Sequence, residues 1–226
     1  MGIAVFGLII SWLFVRDTHH FVKLEEETNT NEKHENIFIQ TSFKNKTLSS
    51  VTQAGLVNNL NDGMIWGLLP IVLLYFQFSL EQIGLVVAVY PAVWGIGQLF
   101  TGKMSDHFSK KKMLFWGMLL QGVTILVMAQ SNDYGMLILL SAGLGLGTAL
   151  VYPTFLSVIA GATRPQQRAE SVGIFRLWRD SGYAFGALLS GVVADAFGVT
   201  VAMLLIALIT ILSALVIQLR MPSDKI

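Results

Sequence analysis

The sequence contains no cysteine. Disulfides, thiolate metal sites and a cysteine nucleophile are therefore excluded. Charge is also scarce. Asp, Glu, Lys and Arg make up 13% of the 226 residues, about half the share usual in a soluble domain. A soluble fold of this size needs a charged skin, and this chain has too little charge to make one. Hydrophobic residues reach 54% and the mean hydropathy is +0.63. Lipid is the solvent that such a composition fits. The net charge of +1 is uninformative as a sum, and no length of basic surface suggests nucleic acid. Alternating strand patterns are missing, which argues against a membrane barrel. Hydrolase signatures such as H-E-x-x-H and G-x-S-x-G are missing as well. The chain is not expected to be an enzyme, and no cofactor or metal is expected.

What the sequence does have is long apolar runs. Seven stand out, at Gly2–Val15, Ala54–Phe78, Ile83–Phe100, Met113–Gln130, Met136–Ala160, Ile174–Phe197 and Val199–Leu219. Most approach the ~20 residues that a helix needs to cross the hydrocarbon core. Helices suit lipid because each satisfies its own backbone groups. The first run is short, and its basic residue, Arg16, follows rather than precedes it. That order is wrong for a signal peptide, so residues 1–15 read as a partial transmembrane helix. Residues 16–50 hold Glu25, Glu26, Glu27, His19 and His20 among many Asn and Thr. They read as a solvated cytoplasmic linker, with the histidine pair as plain loop. Residues 51–226 then form a six-helix membrane domain. The expected fold class is an all-α membrane protein of about seven segments.

Basic residues fix the expected orientation. The turns at Ser79–Gln82, at Ser131–Tyr134 and around Gly198 carry no Lys or Arg. The alternate connections carry Lys103 and Lys110 to Lys112, then Arg164 and Arg168, then Arg220 and Lys225. All of these belong on the cytoplasmic side. The N-terminus is then outside, the C-terminus inside, and the plasma membrane is the expected location. The sequon at Asn45-Lys46-Thr47 falls on the cytoplasmic side and should stay unmodified.

The third run ends in Gly102-Lys-Met-Ser-Asp106-His-Phe-Ser-Lys110-Lys111-Lys112. Gly102 would allow close helix approach, and Asp106 could meet a helix N-terminus or a basic side chain. The lysines would sit at the anionic inner leaflet. This pattern resembles the loop signature of the major facilitator superfamily, which joins the second and third helices of each six-helix half. His107 and Ser109 stand where that family usually has Arg and Gly. Six spans after a cytoplasmic linker resemble the C-terminal half of a twelve-helix permease. The resemblance implies secondary transport of a small solute by alternating access. It also implies a gating role for Gly102, Asp106, Lys110 and Lys111. The chain is then a fragment or one half, and its partners are membrane lipid, a solute, and an N-terminal half encoded separately or a second copy.

Ionisable residues inside spans are functional candidates. Asn58, Asn61 and Asp62 cluster in the second run, with Asn58 and Asp62 four apart on one helix face. Arg176, Arg179, Asp180 and Tyr183 open the sixth run. Spacing puts Arg176 with Asp180 and Arg179 with Tyr183. Both groups enter from the cytoplasmic side at similar depth. By resemblance, the three residues of the second run face the solute cavity and the arginines flank it. Asp62 is then a candidate proton carrier. Its structural alternative is pairing with Arg176 or Arg179. A seven-helix receptor or another non-transporting membrane protein is the competing reading.

The absence of native cysteine makes the topology directly testable. Single cysteines at Lys111 and at Asn132 should label from opposite sides of the membrane with an impermeant maleimide. Labelling of both from one side would sink the alternating model.

Overall fold

The computed structural model describes residues 36–223. The run Gly2–Val15, the His19 and His20 pair, and the linker as far as residue 35 lie outside the described residues. Six long helices follow one another: α1 (Lys46–Tyr75), α2 (Leu80–His107), α3 (Lys110–Met128), α4 (Tyr134–Ala162), α5 (Pro165–Phe197) and α6 (Val199–Arg220). No strand occurs among the described residues.

Each helix begins at a recognisable local signal. Asn45 caps α1 by accepting from the N–H groups of Thr47 and Leu48, both at 3.0 Å. Ser79 and Gln82 form a reciprocal capping box at α2. Ser109 and Asp133 accept from the third backbone N–H of α3 and α4. Pro165 opens α5, where its missing N–H costs nothing. Gly198 alone separates α5 from α6, at φ 90°, a conformation that favours glycine. Pro70, Pro91 and Pro153 lie inside α1, α2 and α4.

The linker boundary differs from the sequence expectation. α1 starts at Lys46 rather than near residue 51. A short helical segment precedes it, with an α-turn at Ile37–Ile39 and a π-turn at Gln40–Lys44. Residues 37–44 and 46–50 are thus helical, and Thr41, Ser42 and Leu48 to Ser50 are buried rather than solvated. Their hydroxyls explain how a polar stretch can do this. Ser49 and Ser50 donate back to the carbonyls of Asn45 and Lys46, at 2.7 and 2.6 Å. Thr41 reaches Ser171 at 3.3 Å, and the Trp178 indole donates to Ser42 at 2.9 Å. Arg220 donates to the carbonyl of Phe43. The segment is thereby held to α5 and α6.

Four helical stretches are long and apolar enough to cross a membrane: Leu80–Ser105, Lys110–Met128, Tyr134–Ala162 and Val199–Arg220. α1 and α5 do not meet that composition, although at 30 and 33 residues they are the longest. At 1.5 Å per residue each exceeds the ~30 Å hydrocarbon core. They fall short on composition because they carry the candidate site.

α1 packs along α5, and α2 packs along α4. α3 fills in behind, between α4 and α6. The two pairs, α1/α5 and α2/α4, touch each other only sparingly, which leaves a seam between them. Glycine closes each pair. A Cβ added at Gly182 would strike the carbonyl of Leu56, one at Gly186 that of Leu60, and one at Gly63 that of Tyr183. At Gly145 it would lie 2.6 Å from the Tyr90 carbonyl. Such approach gives van der Waals contact along the backbone, the main packing force available in lipid. Gly102 does not behave this way. A Cβ there meets nothing within 4 Å, so the close approach expected at that position is absent.

The apolar core comes in two blocks. One holds Leu60, Met64, Ile125, Leu144 and Ile206; the other holds Val57, Met118, Val151, Phe175 and Ala214. The break falls at Asn58 in α1, Gln121 in α3, Thr148 in α4 and Thr210 in α6, each at most 1% exposed. A belt of polar side chains therefore crosses the bundle part-way along its length.

Gly186→Leu should destabilise the protein by about 3 kcal/mol or more, because the obstacle is backbone and cannot rotate away. Gly191, in the same helix, has nothing within 4 Å of its Cβ position. Gly191→Leu should leave the unfolding midpoint in detergent nearly unchanged. Equal losses at both positions would contradict the packing described.

Candidate functional site

The polar belt resolves into two connected groups. The first is a set of amide and hydroxyl bonds. Asn61 donates to the Gln121 side-chain carbonyl at 3.0 Å, and Gln121 donates to Asn58 at 3.1 Å. Thr210 donates to Asn61 at 2.6 Å. Asn58 also donates to Asn59 at 3.2 Å. These bonds tie α1 to α3 and α6. Asn58 and Asn61 thus do not line an open cavity as expected. They are fully buried, and they hold α1 in one rotational setting.

The second group centres on Asp62, which is 1% exposed. Its orientation follows from the first group, since fixing Asn58 and Asn61 turns Asp62 toward the seam. One carboxylate oxygen is bonded to the Tyr90 hydroxyl. The other accepts from Tyr183 at 3.3 Å. The Tyr90 oxygen also lies 3.3 Å from the Thr148 hydroxyl, which donates to the Leu144 carbonyl at 3.1 Å. Asp62 on α1 is therefore connected to Tyr90 on α2 and, through it, to Thr148 on α4. Both hydrogen-bond partners of the carboxylate are phenols. Neither Arg176 nor Arg179 pairs with it, so the structural alternative drawn from the sequence is not what the bundle adopts.

Around Asp62 runs a ladder of rings. Trp66 and Tyr90 have centroids 5.9 Å apart. Tyr90 and Trp94 stack at 6.1 Å, with an interplanar angle of 18°. Trp94 and Tyr152 are 5.1 Å apart. The Arg179 guanidinium covers the Tyr152 ring at 5.4 Å and the Phe175 ring at 5.8 Å, within cation–π range. The ladder crosses the seam twice, at Trp66–Tyr90 and at Tyr152–Arg179.

The arginine pairing also departs from the face rule. Asp180 binds Arg179 at 2.7 Å, not Arg176. The two rings under Arg179 hold its guanidinium where its neighbour's carboxylate can meet it. Arg176 is exposed, and Tyr183 shares no bond with Arg179 but reaches Asp62 instead. The loop motif is a two-residue turn, Phe108 and Ser109, between α2 and α3. Lys110 reaches across it to the Ser157 carbonyl at 3.4 Å. The Asp106 side chain lies outside what the structure describes. Nearby, Arg168 donates to the Ala160 carbonyl at 3.1 Å, a favourable place for a cation at a helix C-terminus.

Sequence reasoning missed Tyr90, Gln121, Thr148 and Thr210, and with them Trp66, Trp94 and Tyr152. The signal for Gln121 was available: it is a single amide inside an otherwise apolar span. The hydroxyls and rings carry no such mark, because Tyr, Trp and Thr are ordinary residues of a membrane helix.

A profile of the Major Facilitator Superfamily matches residues 52–225. The chain belongs to the major facilitator superfamily. It is an integral membrane protein of the all-α superfamily fold. The inner membrane transport protein YnfM of Escherichia coli (strain K12) is 24% identical over 158 residues, covering 70% of this chain and 38% of that protein. Citrate exporter 1 of Aspergillus niger is 25% identical over 172 residues, 76% of this chain and 33% of that one. The chain thus spans well under half the length of these relatives. A crystal structure of a bacterial homologue of the human lysosomal transporter Spinster, inward-facing and occupied, superposes with a TM-score of 0.70 at 17% identity. The match covers 80% of this chain and 45% of that one. The seam between α1/α5 and α2/α4 is where Asp62, Trp66, Tyr90, Tyr152 and Arg179 gather.

Gln121→Leu removes two interhelical bonds at once. At about 0.6 kcal/mol per bond in a membrane interior, it should lower stability by about 1 kcal/mol, measured by reversible unfolding in mixed micelles. A neutral result would mean that Asn58 and Asn61 re-pair without it.

Proposed function

We propose that this chain moves a small solute across the membrane by alternating access, driven by a proton carried on Asp62. The observation that carries this reading is the setting of that carboxyl group. It is fully buried, it stands at the seam between two helix pairs, and its hydrogen-bond partners are phenols rather than cations. An ionisable group is expensive to keep inside a membrane. A carboxyl group that alternates between charged and neutral states gives a reason to keep one. The ring ladder beside it offers the solute an apolar face, with Arg179 and Asp180 at its far end.

The six helices act in this reading as the C-terminal half of a twelve-helix permease, and a second six-helix bundle completes the cavity. That bundle is an N-terminal half encoded separately or a second copy. The Gly102–Lys112 turn lies at the cytoplasmic end, where Asp106 and the lysines bias the conformational equilibrium. The C-terminus faces the cytoplasm of a plasma-membrane protein. The names of the relatives, one an inner membrane transport protein and one a citrate exporter, support transport as the activity class without fixing the solute.

Asp62→Asn should abolish pH-driven uptake by the assembled transporter and leave exchange of bound solute intact. Uptake that still responds to a pH gradient in this variant would rule out Asp62 as the carrier. The isolated six-helix bundle should be inactive in proteoliposomes until a complementary bundle is supplied.

A further inference from the structure

The contacts around Asp62 can be counted in protons. Four oxygen–oxygen contacts run in line: Tyr183 to Asp62, Asp62 to Tyr90, Tyr90 to Thr148, and Thr148 to the Leu144 carbonyl. Each hydroxyl supplies one proton, a charged carboxylate supplies none, and a carbonyl supplies none. With Asp62 charged, three protons serve four contacts. Tyr90 must donate to the carboxylate. Thr148 can then donate to Leu144 or to Tyr90, but not to both, and one contact stays empty. A proton on Asp62 makes the count four for four. Asp62 then donates to Tyr90, Tyr90 turns its proton to Thr148, and Thr148 donates to Leu144.

We propose that Tyr90 and Thr148 form a hydroxyl relay that reverses its direction of donation when Asp62 takes a proton. The relay carries the protonation state of α1 across the seam to α4. This deepens the reading of Asp62 as a proton carrier and rests on it. Tyr90 and Thr148 are positioning residues in this scheme: neither keeps the proton, and both decide how well Asp62 holds it. Tyr183 has the opposite role. It donates to the second carboxylate oxygen in either state, and its bond is stronger when the acceptor is charged, so it favours the proton-free form.

No bond was broken or formed beyond the transfer of one proton to a carboxylate oxygen, so the step balances without another reactant. The charged and titratable groups facing the site are few. From α5 come Tyr183, Arg179 and Asp180, with Arg179 and Asp180 bonded to each other. From α2 comes Tyr90, and from α4 come Thr148 and Tyr152. α3 and α6 present the neutral Gln121 and Thr210. Arg176, one turn before Asp180, is exposed.

The test uses the whole chain, purified and placed in lipid nanodiscs, with infrared difference spectra recorded across a pH series. A carboxylic-acid C=O band that Asp62→Asn removes reports the protonated state directly. Thr148→Val keeps the shape of the side chain and removes the hydroxyl. Protonation then gains no hydrogen bond, and proton binding should weaken about fivefold, the worth of one net bond. Thr148→Ser restores a hydroxyl and should restore binding. Tyr183→Phe should strengthen proton binding, the opposite sign. Thermal unfolding of each variant verifies that it is folded. If the band is present and Thr148→Val binds the proton as wild type does, the relay is overturned while Asp62 remains a carrier. If no Asp62 band appears at any pH, the carrier reading falls, and the relay with it.

Discussion

A hydrogen-bonding side chain buried away from water gains by finding a partner within the protein, and in this bundle such bonds reach from α1 to α2, α3, α5 and α6. Gln121 is the clearest case. Its amide has both a donor and an acceptor to satisfy, and it does so with two asparagines one helical turn apart on α1. That pairing has one rotational solution. Once it is made, Thr210 completes Asn61 from α6, and Asp62 has only the seam to face. The two apolar blocks above and below contribute contact area, but area is non-directional. The belt between them supplies the direction. A polar network of this kind favours one arrangement, although the Asn59 amide nitrogen at its edge has no partner.

Electrostatics and packing then divide the labour along the chain. The glycine contacts at Gly63, Gly182 and Gly186 bring α5 against α1 at backbone distance, which places the Tyr183 hydroxyl over Asp62. Gly145 does the same for α4 and α2, bringing Thr148 to Tyr90. Each helix pair is thus tight within itself, and side chains make the joint between pairs. A joint made of hydroxyls, rings and one carboxyl group can be reset by a single proton, whereas backbone-to-glycine contact cannot. This places the adjustable part of the molecule at the seam and the fixed part within the pairs.

Much of this was legible in the sequence, for reasons that differ between elements. The helices were readable from run length, but the caps at Ser79, Ser109 and Asp133 that set their starts came to light only in the structure. Asp62 was readable because a lone carboxylate in an apolar span is costly. The start of α1 was not, because Lys46–Thr52 has the composition of a linker. In the structure the Asn45 cap starts the helix there, and Ser49 and Ser50 satisfy their hydroxyls on its own carbonyls, which lets them be buried. The arginine pairing was misread because spacing along a helix says which side chains are neighbours, not which ring on another helix, here Tyr152, will help capture a guanidinium. Tyr152 lies 27 residues before Arg179, and no local pattern links them. The same holds for Tyr90 and Thr148. Their meaning comes entirely from standing next to Asp62.

The single-residue elbow at Gly198 has a mechanical consequence. A connection with no spare length cannot lengthen or shorten, so α5 and α6 cannot slide past each other along their axes. With α5 also locked to α1 by glycine, and α6 tied to α1 through Thr210 and Asn61, three of the six helices form a plate with no slack. A plate of that kind transmits displacement without absorbing it. A tilt of α5 would therefore draw α1 and α6 with it.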